Sequence, residues 1–169
     1  MILRSRKHNP QDVLTGNETL HVGVEPGSLF EEERPLKPTL RILLIEPDIR
    51  RLEALCEVFS RYHHIVFRAL TYRLGVQMAR LYKPDLILVN ADCPGYTTQH
   101  LFQATSQLRV DDVTKTIPLV GLVSSYEEHC GPSGCSLWDA CVSKSLQAGA
   151  LVQQVIHVYG ELVEKLPPL

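Results

Sequence analysis

The 169-residue chain contains no long apolar run. No stretch approaches the roughly 18 to 20 consecutive apolar residues that cross a bilayer, and the opening MILRSRKHNPQD has no apolar segment after its basic residues. The expectation is a chain that is neither exported nor membrane-spanning. A basic excess is missing too: 17 Lys plus Arg stand against 19 Asp plus Glu, a net charge of -2, which argues against a protein held to nucleic acid by phosphate contacts. Aromatics make up 7%, and Arg50, Arg51, Arg61, Arg68, Arg73 and Arg80 carry no DNA-reading motif, so this basic run reads as a solvated helix exterior. Cysteine is scarce and odd in number: Cys56, Cys93, Cys130, Cys135 and Cys141 do not make a secreted disulfide framework. A reducing cytoplasm is the expected compartment.

What is present falls into two textures. Residues 1–38 mix Pro, Gly, Asn and charge without a sustained period, and read as a flexible N-terminal arm with one strand-like piece, Thr19 to Val24. Residues 39–166 read as one domain and residues 167–169 as a tail. Within the domain, short branched apolar runs alternate with helix-length stretches. Arg41 to Ile45 is a strand buried on both faces, stopped by Glu46-Pro47-Asp48, and Asp48 can cap a helix whose Leu52, Leu55, Cys56 and Phe59 fall on one side. A strand over His64 to Leu70 follows, then a helix over Arg73 to Tyr82, which Lys83-Pro84 ends because proline disfavours helical geometry in the residue before it. Asp85 to Asn90 is a third strand. A helix over Thr98 to Arg109, strands at Leu119 to Val123 and Ala140 to Val142, and a helix over Gln147 to Lys165 complete the series.

Parallel strands need crossovers of helix length, so this alternation specifies an α/β fold: an open five-stranded parallel sheet with helices on both faces. Functional groups in such sheets gather beyond the carboxyl ends of the strands. Here those positions hold Glu46, Pro47, Asp48, Asn90 to Pro94, Val123 to Ser125, and Ser143 to Ser145.

Three blocks at these positions carry a family resemblance: Arg41 to Asp48; Lys83 to Asn90 with Pro94-Gly95; and Asp139 to Ser145. Over about Leu40 to Leu166 the chain resembles the receiver domain of two-component response regulators. The resemblance implies a flavodoxin-like, receiver-type fold. It also implies a site in which an acidic pair and an aspartate hold Mg²⁺, the aspartate accepts a phosphoryl group, and a hydroxyl residue and a lysine bind it. Those roles fall on Glu46 and Pro47, on Asn90, on Val123 beside Ser124, and on Lys144. Pro47, Asn90 and Val123 depart from the family chemistry, and Ser145 stands where a proline commonly follows the lysine. A neutral amide is neither the anionic nucleophile nor the hard ligand that phosphoryl transfer with Mg²⁺ requires. Glu46 and Asp92 are the remaining weak candidates for a cation. Lys144 reads as a tether to Glu46 or Asn90, or as a solvated lysine.

The expectation is therefore a degenerate pseudo-receiver. It would be a stand-alone signalling protein with no enzymatic activity and no cofactor, unswitched by aspartyl phosphorylation and acting on a signalling protein partner, with homodimer formation compatible with the resemblance. Ser124 to Cys135 carries Gly-Pro and Ser-Gly where the family has its fourth helix, so that helix should be short or missing. Contact surfaces are expected on that altered face, on the arm, and on the last helix through Val152, Val155, Ile156, Tyr159 and Val163. Two rival readings stay open: a phosphorylatable receiver using Asp92 or Glu46 with Mg²⁺, or a ligand or redox sensor using the strand-end pocket or the Cys130/Cys135 loop. His129, Cys130, Cys135 and Cys141 lack the two tight ligand pairs of structural zinc, and the cysteines read as ordinary thiols. His63-His64 reads as a turn into a strand, and Trp138 and Tyr126 as core caps or surface residues.

Overall fold

A computed structural model describes residues 38–92, 98–125 and 137–165. Five apolar runs become strands: β1 (Arg41–Ile45), β2 (Ile65–Ala69), β3 (Leu86–Asn90), β4 (Leu119–Val123) and β5 (Ala140–Ser143). Four helices are described: α1 (Ile49–Arg61), α2 (Tyr72–Tyr82), α3 (Thr98–Val110) and α4 (Ala148–Glu164). All neighbouring strands are parallel, in the order β2-β1-β3-β4-β5. The order reverses between β1 and β3, and a crevice for functional groups opens beyond their carboxyl ends.

Alternation along the central strands separates two cores. Ile42, Leu44, Leu86, Leu88, Val120 and Leu122 pack with Leu52, Cys56 and Phe59 of α1 and Leu151, Val152, Val155 and Val158 of α4. Leu43, Ile45, Ile87, Val89 and Leu119 face Tyr72, Val76 and Ala79 of α2 and Leu101, Ala104 and Leu108 of α3. A strand covered on both faces reads as an unbroken apolar run, and β3 and β4 are buried at every residue. β2 lies at the edge and leaves Ile65 and Arg68 exposed.

Local signals set the ends. The Asp48 carboxylate accepts from the N–H groups of Arg50 and Arg51 and starts α1. α2 stops where Lys83, its C-cap, takes the left-handed conformation at φ 46° just before Pro84, which disfavours continued helix. His63 turns the chain into β2 at φ 63°, and buried His64 accepts the Leu40 N–H on Nδ1 at 3.2 Å. Asp85 and Asp139 clip the strand starts, accepting the N–H groups of Arg41 at 2.7 Å and Leu119 at 2.8 Å. Trp138 is 9% exposed and packs over Gly121, so it caps the core.

The structure corrects one expected contact surface. Val152 and Val155 of α4 are buried in the core, and Ile156 and Tyr159 pack against it, because their spacing is that of the stripe every amphipathic helix turns to its sheet. Of that set Val163 is exposed. Tyr126, all of the arm except Pro38, and all but the first two residues of the segment expected to lose its helix lie outside the described residues.

α2 approaches β1 closely at Gly75: a Cβ there would stand 2.3 Å from Ile45 Cδ1 and 2.7 Å from Cγ1, inside a fully buried side chain. Gly75→Ala should therefore destabilise the domain by about 1 to 3 kcal/mol through overpacking. Gly160→Ala, at a position in α4 with nothing within 4 Å, should stabilise it by about 0.5 to 1 kcal/mol. Urea denaturation midpoints moving in opposite directions would bear out both, and equal midpoints would refute the close approach.

Candidate functional site

The site lies where β1, β3, β4 and β5 end. Glu46, directly after β1, and Asn90, the last residue of β3, both have no solvent exposure. Such a carboxylate must be satisfied internally, and Asn90 does this: its amide nitrogen donates to Glu46 Oε1 at 2.8 Å and Oε2 at 2.9 Å, while the Asp48 N–H adds a donor to Oε1 at 3.0 Å. On its other side the Asn90 carbonyl oxygen accepts from Lys144 Nζ and, at 3.0 Å, from the Asp92 N–H. This orientation follows from the chemistry of the partners, since the reverse would set an oxygen against a carboxylate and an NH₂ against an ammonium. Tyr72 of α2 fixes the backbone by donating its hydroxyl to the Asn90 carbonyl at 2.8 Å.

Asp92 completes the set. Lys144 Nζ is 2.8 Å from its Oδ1, with both side chains largely covered, and the Ser124 N–H donates to its Oδ2 at 2.8 Å. Partial burial pushes the Asp92 carboxyl up, but hydrogen bonds from Lys144 and Ser124, with the lysine charge, outweigh it and hold the group below its ordinary value.

The residues expected in the pocket can now be placed. Glu46, Asn90, Asp92 and Lys144 form one bonded chain, and Ser124 joins it through its backbone. Pro47 lies in the turn between β1 and α1, and Val123 is fully buried at the end of β4, where it brings no hydroxyl. β3 stops at Asn90, so Asp92 is beyond the strand. The tether of Lys144 runs to Asn90 and Asp92; among the described residues it is not ion-paired with Glu46. The contact of Asp92 with the Ser124 N–H and the hydroxyl of Tyr72 were missed. The first depends on the relative height of two strand ends, and Tyr72 carries no local signal beyond the Thr71 cap before it.

The donor set does not suit a divalent cation. Both oxygens of Glu46 face the N–H groups of Asn90, Pro47 supplies no side-chain ligand, and an ammonium occupies the far side. A cleft of about 320 Å³ reaches the site between α1 and α4, bordered by Glu46, Arg51, Ser124, Lys144 and Ser145.

Of the cysteines, Cys56 is a free, buried thiol whose pKa burial raises, although Arg68 partly offsets this; it packs in the core. Cys141 departs from the expectation of an ordinary thiol: it is disulfide-bonded, and its partner lies outside the described residues. It packs against the core on the α2 and α3 side of the edge strand β5. Cys93, Cys130, Cys135 and His129 also lie outside those residues.

Two outcomes follow. Asn90→Asp sets a second carboxylate against Glu46 in a site with no exposure, and should cost about 2 to 4 kcal/mol at neutral pH, with part of the loss returned by Mg²⁺. Calorimetric melting with and without the metal measures it, and an unchanged melting temperature would contradict the bonding described. Because the folded state lowers the Asp92 pKa, its stabilisation is complete above the ordinary aspartate value and is lost as pH falls through the lower folded value. Asp92→Asn should remove that segment of the acid-denaturation profile, and a superimposable profile would refute the contribution.

No family model matches the chain. Protein PilH of Pseudomonas aeruginosa is 32% identical over 88 residues, which covers 52% of this chain and 70% of that protein. Among solved structures, the receiver domain of a Pseudomonas aeruginosa sensor histidine kinase, with a magnesium ion coordinated in its active site cleft, superposes with a TM-score of 0.61 at 16% identity, covering 73% of this chain and 99% of that one. The chemotaxis response regulator CheY4 of Vibrio cholerae gives 0.60 at 16% identity, covering 72% and 99%. A response regulator from Desulfuromonas acetoxidans gives 0.60 at 19%, covering 72% and 98%. These likenesses concern the fold, and the relation to PilH concerns descent. By that relation and this architecture, the chain belongs to the receiver-domain family of response regulators.

Proposed function

We propose that this receiver-type signalling protein is a pseudo-receiver, held in one state without aspartyl phosphorylation and acting by contact with a signalling partner. The observation that carries the reading is Asn90. At the end of β3, where the family resemblance puts the phosphoryl acceptor, stands an amide that donates to Glu46 and accepts from Lys144. Every polar atom of its side chain is engaged, and none is the anionic oxygen that attacks a phosphoryl donor. The family's metal has no place in the scheme, because the carboxylate that would bind it is satisfied by N–H groups.

On this reading residues 39–166 are the signalling domain, residues 1–38 an arm available for contact, and Glu46, Pro47, Asn90, Asp92, Val123, Ser124 and Lys144 are the remnants of a phosphorylation pocket now used as a structural clasp. The pocket has no catalytic part. Signal strength would then follow the amount of protein or the availability of its partner.

The test is incubation of the full chain with acetyl phosphate and Mg²⁺, followed by intact-mass measurement under conditions that keep acyl phosphates. The expected result is no phosphoryl adduct. An adduct on Asp92 or Glu46, with altered partner binding, would establish a phosphorylatable receiver instead.

A further inference from the structure

We propose that Asp92 is the built-in occupant of an anion site at the ends of β3, β4 and β5, so that the protein supplies its own ligand where an external oxyanion would otherwise sit. The inference rests on the reading of Asn90 as unphosphorylated and extends it, by naming what ties the end of β3 to the ends of β4 and β5.

Two donors on two different strand ends converge on one point. The Ser124 N–H follows β4 directly and Lys144 Nζ follows β5, and the two strands are paired up to Val123 and Ser143. An N–H and an ammonium aimed together form a receptor for a carboxylate or a phosphate. Asp92 fills it completely: one oxygen accepts from Ser124 at 2.8 Å, the other from Lys144 at 2.8 Å, and its own N–H is held by Asn90 at 3.0 Å. Lys144 N–H also bonds to the Val123 carbonyl at 2.9 Å, so both donors belong to one rigid corner of the sheet.

Tethering decides the competition. Asp92 is two residues beyond Asn90, whose backbone is fixed by Tyr72, so the carboxylate reaches the donors with no loss of translational freedom and outcompetes free anions at ordinary concentrations. Charge acts in the same direction. Glu46, Asp92 and Lys144 sum to one negative charge at the site, which disfavours a second anion, whereas removal of Asp92 leaves a neutral pair and frees the Ser124 N–H and one N–H of Lys144. The link also crosses the sheet, from the end of β3 to the first residue after β4, and so fixes the start of the segment leading away from Ser124 without any event from outside.

The experiment uses the full chain and its Asp92→Ala and Asp92→Asn variants, with the Ser124 amide followed by ¹⁵N–¹H NMR and the melting temperature recorded in chloride, acetate and inorganic phosphate. Neither added anion donates a phosphoryl group, so the outcome is independent of whether the protein can be phosphorylated; that question belongs to the mass measurement above. Asp92→Ala is expected to shift the Ser124 resonance and lower the melting temperature by about 2 to 8 °C. Acetate or phosphate should return both toward wild type, with no such response in wild type or in the variant that also carries Lys144→Ala. Asp92→Asn should lose stability as well, because an amide has one acceptor oxygen for two donors. An unmoved Ser124 resonance in Asp92→Ala, equal anion responses in wild type and variant, or wild-type stability in Asp92→Asn would each overturn the proposal.

Discussion

The strand-end site depends on one interaction: the pair of hydrogen bonds by which the Asn90 amide satisfies the carboxylate of Glu46. A carboxylate with no solvent exposure is costly unless donors surround it, and this one sits at the carboxyl end of the most central pair of strands. Once the NH₂ of Asn90 is committed to Glu46, its oxygen must face the other way. That requirement draws in Lys144, and Lys144 in turn fixes Asp92. Four side chains from three strand ends and one connecting loop are thereby set by the chemistry of a single amide.

The consequence for function is a question of sign. In a receiver that takes up phosphate, the strand ends hold negative charge that a metal neutralises, and a phosphoryl group then changes the balance. Here the balance is met internally: a neutral amide replaces one carboxylate, an ammonium offsets another, and Arg51 and Ser145 border the cleft above them. On the proposed reading, the signal would follow concentration or contact and not covalent state. The same sheet that presents the clasp also covers most of the α4 stripe: Val152, Val155 and Val158 complete the core beneath β1, β3 and β4.

Much of this was legible in the sequence, for definite reasons. The unbroken runs Arg41 to Ile45 and Leu119 to Val123 could only be strands covered on both faces, and Pro84 fixed the end of α2, so the fold class and the strand ends followed. Glu46, Asn90 and Lys144 were found because strand ends are where sheets of this order place their chemistry. Less legible were contacts that depend on the height of one strand end against another. Asp92 read as a weak cation ligand, yet the structure gives it to an N–H and an ammonium. The stripe on α4 read as a contact surface because spacing reveals an apolar face without saying what covers it. Cys141 read as a thiol because pairing depends on proximity that spacing does not encode.

The most direct measurement of the central claim is the side-chain amide of Asn90 itself, observed by ¹⁵N–¹H NMR with hydrogen exchange. The account predicts two widely separated NH₂ resonances, protected from exchange with water, that move strongly when Glu46→Gln replaces the buried carboxylate. Freely exchanging, nearly degenerate NH₂ signals that ignore Glu46→Gln would show that the amide is not committed to the carboxylate, and the clasp built on it would fall.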